Sequence, residues 1–401
     1  MIGEETFKVQ TNSLEAGTGV ASSAAGTRPT KAAHCDAPSL KIVYAAGLSP
    51  NDSSLYRMWA LERLGHRVVP LNSYEYESGN ALLRKISFRL AAGPSVDRLN
   101  RHLLRLVERE RPDLVWTDKL LQMQPKTLVK LREMGVPTVS YMIDNPFGTR
   151  QDPGWRLYRK DIPYYDLHVV QRDRNIAEYK ACGARDVIKI QTAYEPTIHF
   201  PPPAEWSDAD RNREVSFVGT PYDDRAETLA WLADQGYKVA ISGNRRSWER
   251  ALNAKDFSRL YCEGELYQQQ YREAIWRSKI NLSFLTWANK DEFVHKSFEI
   301  AGCGGFLLAE RSEGHCQRFV ESEEAVFFTG REELAAQIAR YLPDEAARAR
   351  IATAGQARAK RDGYHNDRQV GLIMKRMREI IGRRGAATGT QSMAHAGTGA
   401  R

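Results

Sequence analysis

The feature that most constrains this chain is a rhythm that runs twice. Short apolar stretches ending in glycine or a polar turn alternate with segments of helical periodicity. The alternation breaks once, at Pro201-Pro202-Pro203 and the polar AEWSDADRNR that follows. Before the break the apolar runs are KIVYAAG (41–47), HRVVPLN, DLVWT (113–117), PTVSYMID (137–144), DLHVVQ (166–171) and DVIKIQ (186–191). After it come EVSFVGT (214–220), YKVAISG (237–243), KINLSFLT (279–286), FLLA and EAVFFT (324–329). Near-continuous apolar runs of this length, separated by helices, are strands of a parallel sheet covered on both faces. The expected fold class is therefore α/β, with two doubly wound Rossmann-like halves in tandem and one cleft between them. In such sheets ligands sit beyond the carboxyl ends of the strands.

This reading divides the chain as follows. Residues 1–38 and 385–401 are rich in Ala, Gly, Ser and Thr and read as disordered tails. A first domain spans 39–200, a linker 201–213 and a second domain 214–365, and a long helix closes the fold over 366–384. A length of 401 residues with 42% hydrophobic and 27% charged content suits two globular domains. Lysine and arginine exceed aspartate and glutamate by 58 to 50, an excess that suits an anionic small molecule or surface. The basic residues are scattered and not interleaved with aromatics, so nucleic acid is not an expected partner. The Lys/Arg face of the closing helix leaves peripheral membrane contact open.

Five cysteines form no CxxC pair, and His34-Cys35 and His315-Cys316 lack zinc spacing. With a charged start, MIGEETFKVQ, and no apolar run of spanning length, a reducing, cytoplasmic setting is expected.

The stretch VHKSFEIAGCGGFLLAER (294–311) carries the densest chemistry. A helix starting near His295–Ser297, just past a strand's carboxyl edge, offers unpaired N–H groups and a partial positive charge to a phosphate. Lys296 adds a full charge, Ser297 a cap or a hydroxyl donor, and His295 a further donor. Glu299, one turn in, is placed to accept from the two hydroxyls of a ribose. Gly304 and Gly305 let the chain turn back into a strand. Read without a ligand, Lys296 and Glu299 are an i,i+3 surface pair worth ~0.2–0.5 kcal/mol. In the first half Asp144, beside Asn145-Pro146, would face the cleft from the first-domain side, to bind a substrate or take its proton. Trp155, Tyr158 and Trp287 are further candidates for lining a binding surface, and His168 reads as a core residue. Asp208-Ala209-Asp210 has the letters of a metal-binding Asp-x-Asp but precedes a strand, inside the linker. Asp223-Asp224 reads as a solvated loop pair. No metal or other cofactor is expected.

EFVHKSFEIAGCGGFLLAERSEG, FVESEEAVFF, EELAAQIARYL and IATAGQARAKRDGYHNDRQ, with VSFVGTPYDDRAETLAWLADQGYKVAISG before them, resemble the donor half of GT-B glycosyltransferases. The spore-maturation (CgeB-type) branch, kin to the retaining, family-4-like enzymes, is the nearest match. RPDLVWTD, GVPTVSYMIDNPFG and YDLHVVQRDRNIAEYKACGARDVIKIQTAYEP extend the likeness into the first half, for a span of roughly 40–384. The resemblance implies a GT-B fold whose final helix crosses back to the first domain. It also implies transfer of a hexose-type sugar from a nucleotide diphosphate-sugar to a glycan, lipid-linked or small-molecule acceptor. The retaining relatives carry two glutamates separated by seven residues. Glu299 matches the one on the ribose, and Asp291, a methylene shorter, stands where the sugar-facing one would be. Lys296 takes the position of a usual arginine, which keeps the charge and loses the bidentate fork. Arg225, following Gly219-Thr220-Pro221-Tyr222, is the second cation implied for the diphosphate. Gly47 and the LSPNDSS loop fall where such enzymes approach donor phosphate or acceptor. Asp144, Asp291 and Lys296 are then the catalytic candidates. Two other readings compete: a non-catalytic sugar- or nucleotide-binding envelope protein, and a GT-B-fold nucleotide-sugar epimerase.

Overall fold

A computed structural model describes residues 38–90, 92–148 and 154–396. The tail expected over 1–38 lies outside them except for Pro38, as do residues 397–401. The first sheet is built from β1 (Lys41–Ala46), β2 (Arg67–Asn72), β3 (Leu114–Asp118), β4 (Thr138–Tyr141), β5 (Leu167–Val170) and β6 (Val187–Lys189). The second holds β7 (Arg213–Val218), β8 (Val239–Ser242), β9 (Tyr261–Glu263), β10 (Ser278–Ser283), β11 (Leu307–Glu310) and β12 (Val326–Phe328). The strand orders are β2-β1-β3-β4-β5-β6 and β12-β11-β10-β7-β8-β9. Every neighbouring pair is parallel. The winding reverses between β1 and β3 in the first sheet and between β7 and β10 in the second. Loops on either side of such a reversal diverge, and the gap they leave is where an open parallel sheet binds ligands.

Central strands are sealed on both faces, which is why their sequences are unbroken apolar runs. Ile42 through Ala46 are completely buried. Strand β9 escaped the sequence reading because it is three residues long, polar, and sits at a sheet edge with Cys262 exposed.

The closing helix, expected over 366–384, runs Asn366–Ala396. A helix already nucleated gains one hydrogen bond per added residue, so an alanine-containing tail continues it readily. It does cross back. Val370, Ile373, Met374, Met377 and Ile380 are buried against Ala60, Leu61, Val169 and other first-domain residues. Those apolar positions are thereby used for packing, and a membrane-facing role for this helix loses its anchor.

The crossover is pinned by Glu195, which is completely buried. It pairs with Arg63 at 2.9 Å and accepts from Asn366 Nδ2 at 3.1 Å and Thr197 Oγ1 at 2.7 Å. Arg63 also pairs with Asp367. One carboxylate thus joins the helix Ser53–Arg63, the chain leaving the first domain, and the start of the closing helix.

Candidate functional site

The site is assembled at the reversal point of the second sheet, from the loops after β7 and β10. The helix His295–Gly302 follows the β10 loop, and its N-cap is Val294, without a side-chain cap. Its first N–H groups therefore lack the partner that a Ser or Asp cap would supply.

Lys296 projects from that first turn between two aromatic faces, 5.7 Å from the Phe217 ring centroid and 5.2 Å from that of Tyr271. A β-carbon on Gly219 would lie 3.6 Å from the Lys296 stem and 2.9 Å from the Phe217 ring. Glycine at 219 is what lets the β7 loop approach so closely. Lys296 makes no hydrogen bond or ion pair with any described residue. The i,i+3 pair with Glu299 that its spacing suggested is not formed. Burial lowers its pKa to about 8, opposed by Glu299 and reinforced by Arg225.

Glu299 accepts from the Tyr271 hydroxyl at 2.9 Å. Burial pushes its carboxyl up, but His199, His295, Lys296 and the Tyr271 hydrogen bond outweigh this and hold it below the usual range. Burial itself drives the pKa of both histidines down, that of His295 to about 4. At neutral pH the cation that keeps Glu299 ionised is therefore Lys296. The Lys296 and Glu299 side chains keep part of their surface exposed, yet protein atoms ring them, so desolvation dominates for Lys296 and the surrounding groups dominate for Glu299. His295 bonds Thr192 through Nδ1, while its buried Nε2 has no hydrogen-bond partner among the described residues. An edge-on run Tyr56–His199–Tyr271, with centroids 6.2 and 5.8 Å apart, leads from the first domain to Glu299. None of these three aromatic residues was flagged by the sequence, since each comes from a distant element with no motif of its own.

Arg225 opens the helix Arg225–Asp234, but it is buried and not solvated. Its guanidinium donates to the Thr220 carbonyl at 3.1 Å, the Leu285 carbonyl at 2.7 Å and the Thr286 hydroxyl at 3.1 Å. It ties the β7 and β10 loops together, and its Nε has no hydrogen-bond partner among the described residues.

Two expectations are corrected and one holds. The Ser297 hydroxyl is completely buried in a chain with Ser283 Oγ at 2.9 Å and His315 Nε2 at 2.8 Å, so it is neither cap nor phosphate donor. Gly304 takes the left-handed conformation (φ 65°) expected of it at the helix exit, against Pro201 and at the end away from the N-terminal turn. Trp155 and Tyr158 are core residues, packed with Met142 and Tyr179, and line no cleft.

Asp144 lies in the loop beyond β4, paired with Lys119 at 2.6 Å. Asp291 is bonded across the cleft by Arg172, a buried arginine that also donates to the Ile143 carbonyl at 3.1 Å. Burial raises the Asp291 pKa, Arg172 opposes this, and the nearby Asp144 adds to it. The two aspartates are thus neighbours across the cleft. The adjacent Glu292 pairs with Lys189 at 2.9 Å. Gly47 touches the Tyr74 ring at the edge of the first sheet's cleft. Trp287 is exposed and donates to Glu310 at 3.1 Å.

Among the described residues no group of three or more His, Cys, Asp or Glu is arranged to hold a metal. Asp208 instead braces Arg348 at 2.7 and 2.8 Å, and Asp210 closes a capping box with Ser207.

Residues 225–375 match a family described as "Glycosyl transferase-like". A comparison with curated proteins finds no match. Among solved structures, sucrose-phosphate synthase (tll1590) from Thermosynechococcus elongatus matches with a TM-score of 0.64 at 12% identity, covering 86% of this chain and 99% of that one. An α,α-trehalose-phosphate synthase (UDP-forming) from Burkholderia vietnamiensis matches at 0.59 and 15%, covering 86% and 100%. Anabaena Alr3699/HepE, solved in complex with UDP-glucose, matches at 0.57 and 15%, covering 84% and 99%. The architecture is that of GT-B glycosyltransferases. Family match and fold together support a glycosyltransferase.

Proposed function

We propose that the protein transfers a sugar from a UDP-sugar to an acceptor held on the first domain. The observation that carries this reading is Lys296, an unpaired ammonium at a helix N-terminus, one turn from an ionised Glu299, at the reversal point of the second sheet. A leaving diphosphate acquires negative charge as the glycosidic bond breaks. Lys296 and the free N–H groups of the first turn are positioned to meet that charge without reorganising. This arrangement assigns no role to a metal. Glu299, held by Tyr271, takes the ribose hydroxyls, and His295 Nε2 is a donor for the sugar or phosphate. Asp144 serves the acceptor side. The names of the relatives, UDP-forming or bound to UDP-glucose, favour uracil as the base. Within the class, the segments around 292–314 and 351–369 favour the spore-maturation (CgeB-type) branch and, through its kin, retention of configuration.

A second reading, nucleotide binding without turnover, draws on one observation. Asp291, the candidate sugar-facing carboxylate, is engaged by Arg172. Calorimetric titration with UDP, GDP and dTDP, followed by donor turnover with UDP-glucose, separates the two. UDP binding with release of UDP from the donor is the expected outcome. Binding with no release would favour the second reading, and no binding by any nucleotide would sink both.

A further inference from the structure

A second surface stands apart from the donor site. The helix Ala81–Leu90 follows β2 through the short turn Ser73–Tyr76. Leu82, Leu83, Ile86 and Leu90 are 65, 56, 44 and 64% exposed, an unusual concentration for one ten-residue helix. Positions 82, 86 and 90 recur every fourth residue and 83 adjoins them, so all four fall on an arc of about 100° on the helix. Tyr74, exposed to 44%, lies in the turn before this helix, with its ring against Gly47. An apolar stripe of this kind marks an interaction site.

Charge indicates the partner. From residue 81 to 105 the chain carries Arg84, Lys85, Arg89, Arg98, Arg101 and Arg105 against one acid, Asp97. Arg98, Arg101 and Arg105 are exposed on the next helix, Pro94–Glu110. These three have no ion-pair partner among the described residues, while Arg84 acts on Glu77, which with Glu75 precedes the helix, so the basic excess lies mainly on the helix Pro94–Glu110. An apolar stripe on a short helix set in a basic field matches an anionic bilayer surface, where apolar side chains enter the acyl boundary and cations meet the headgroups. A protein groove would cover the apolar stripe but would not by itself call for cations continued onto a second helix.

We infer that the helix Ala81–Leu90 docks the protein on anionic lipid membranes, with Leu82, Leu83, Ile86 and Leu90 inserted and Arg84, Arg98, Arg101 and Arg105 at the headgroups. Among the described residues no helix is long and apolar enough to cross a membrane. Docking would be peripheral and reversible, and it does not depend on the transferase reading.

The test is co-sedimentation of the full chain with phosphatidylcholine vesicles made with and without phosphatidylglycerol, at low and high salt. The wild type is expected to sediment with the anionic vesicles, at least about tenfold more strongly than with neutral ones, and to be released by salt. The combined change Leu82→Asp, Ile86→Asp and Leu90→Asp should abolish this while the thermal melt stays unchanged. Val320→Asp, at an exposed apolar position on the second domain, should leave partitioning intact. A wild type that stays in the supernatant, equal binding to neutral vesicles, or a triple variant that still sediments would each overturn the proposal. So would concentration-dependent self-association, seen by sedimentation velocity and lost in the triple variant with no lipid bound. That result would make the stripe an interface between two copies.

Discussion

The two reversal points of this molecule are built alike and finished differently. At the first, Asp118 ends β3 and is completely enclosed by its own partners. Arg57 donates to it at 2.6 and 2.8 Å, and the Tyr44 hydroxyl donates at 2.7 Å. Arg57 also lies over the Tyr141 ring, at 4.3 Å. At the second, Lys296 and Glu299 share a helix turn and feel each other's charge without contact, and the lysine has no hydrogen bond or ion pair among the described residues. A largely desolvated cation held this way is costly, and a bound anion would stabilise it. The first reversal point is therefore closed on itself, and the second keeps a cation that no described residue pairs with.

The sharpest way to break that contrast is Asp118→Ala. It leaves the buried Arg57 guanidinium without its counter-ion, with a bond to the Ser53 hydroxyl at 3.2 Å remaining, and the expected loss is about 3–5 kcal/mol of unfolding free energy in chemical denaturation. A loss below ~1 kcal/mol would mean that the first site is no more self-sufficient than the second.

Lys296→Met should do the opposite. It removes a desolvated charge, so the empty protein should melt at the same temperature or higher. UDP affinity should fall by about 1.5–3 kcal/mol, the worth of a hydrogen bond to a charged group. A pH series sharpens the point. The Lys296 pKa lies near 8 in the fold, below its ordinary 10.5. The folded chain therefore binds fewer protons than the unfolded chain between those values, and the empty protein gains stability as pH rises through that window. UDP binding needs the ammonium, so wild-type affinity should decline as pH rises above about 8. Lys296→Met should show neither trend. A pH-independent wild-type affinity would remove Lys296 from the donor site.

Smallest of the three is Glu299→Gln, which keeps the shape and removes the charge. The expected change is a narrowing, by about 1 kcal/mol, of the preference for UDP over its 2′-deoxy analogue in calorimetry. An unchanged preference would assign Glu299 to the frame with Asp118.

Much of the donor side was legible because it is local. The positions of the second-domain strands, the helix start at His295, and the joint placement of Lys296 and Glu299 follow from a few consecutive residues. Arg225 was legible as a position but not as an environment. Its burial depends on the Leu285 carbonyl and Thr286, sixty residues away in the chain. Ser297 misled for the same reason: a serine in a first turn resembles a cap until His315 and Ser283 are folded around it. The acceptor side was less legible. Asp144 and Asp291 carry no sign in sequence that they end up as neighbours across a cleft, or that Arg172 reaches the second of them.

The sequence by itself determined which residues could become strands and helices, and which short stretch carries charge at a helix mouth. Those properties rest on periodicity, turn chemistry and charge spacing, which act over a few residues. The tertiary structure alone decided which charges are paired within the fold and which keep no such contact among the described residues. It also decided that the closing helix spends its apolar face on the first domain while the helix Ala81–Leu90 leaves its own uncovered. Burial and counter-ions are set by elements that meet only in space, because desolvation and Coulomb energy depend on surroundings that no local stretch contains.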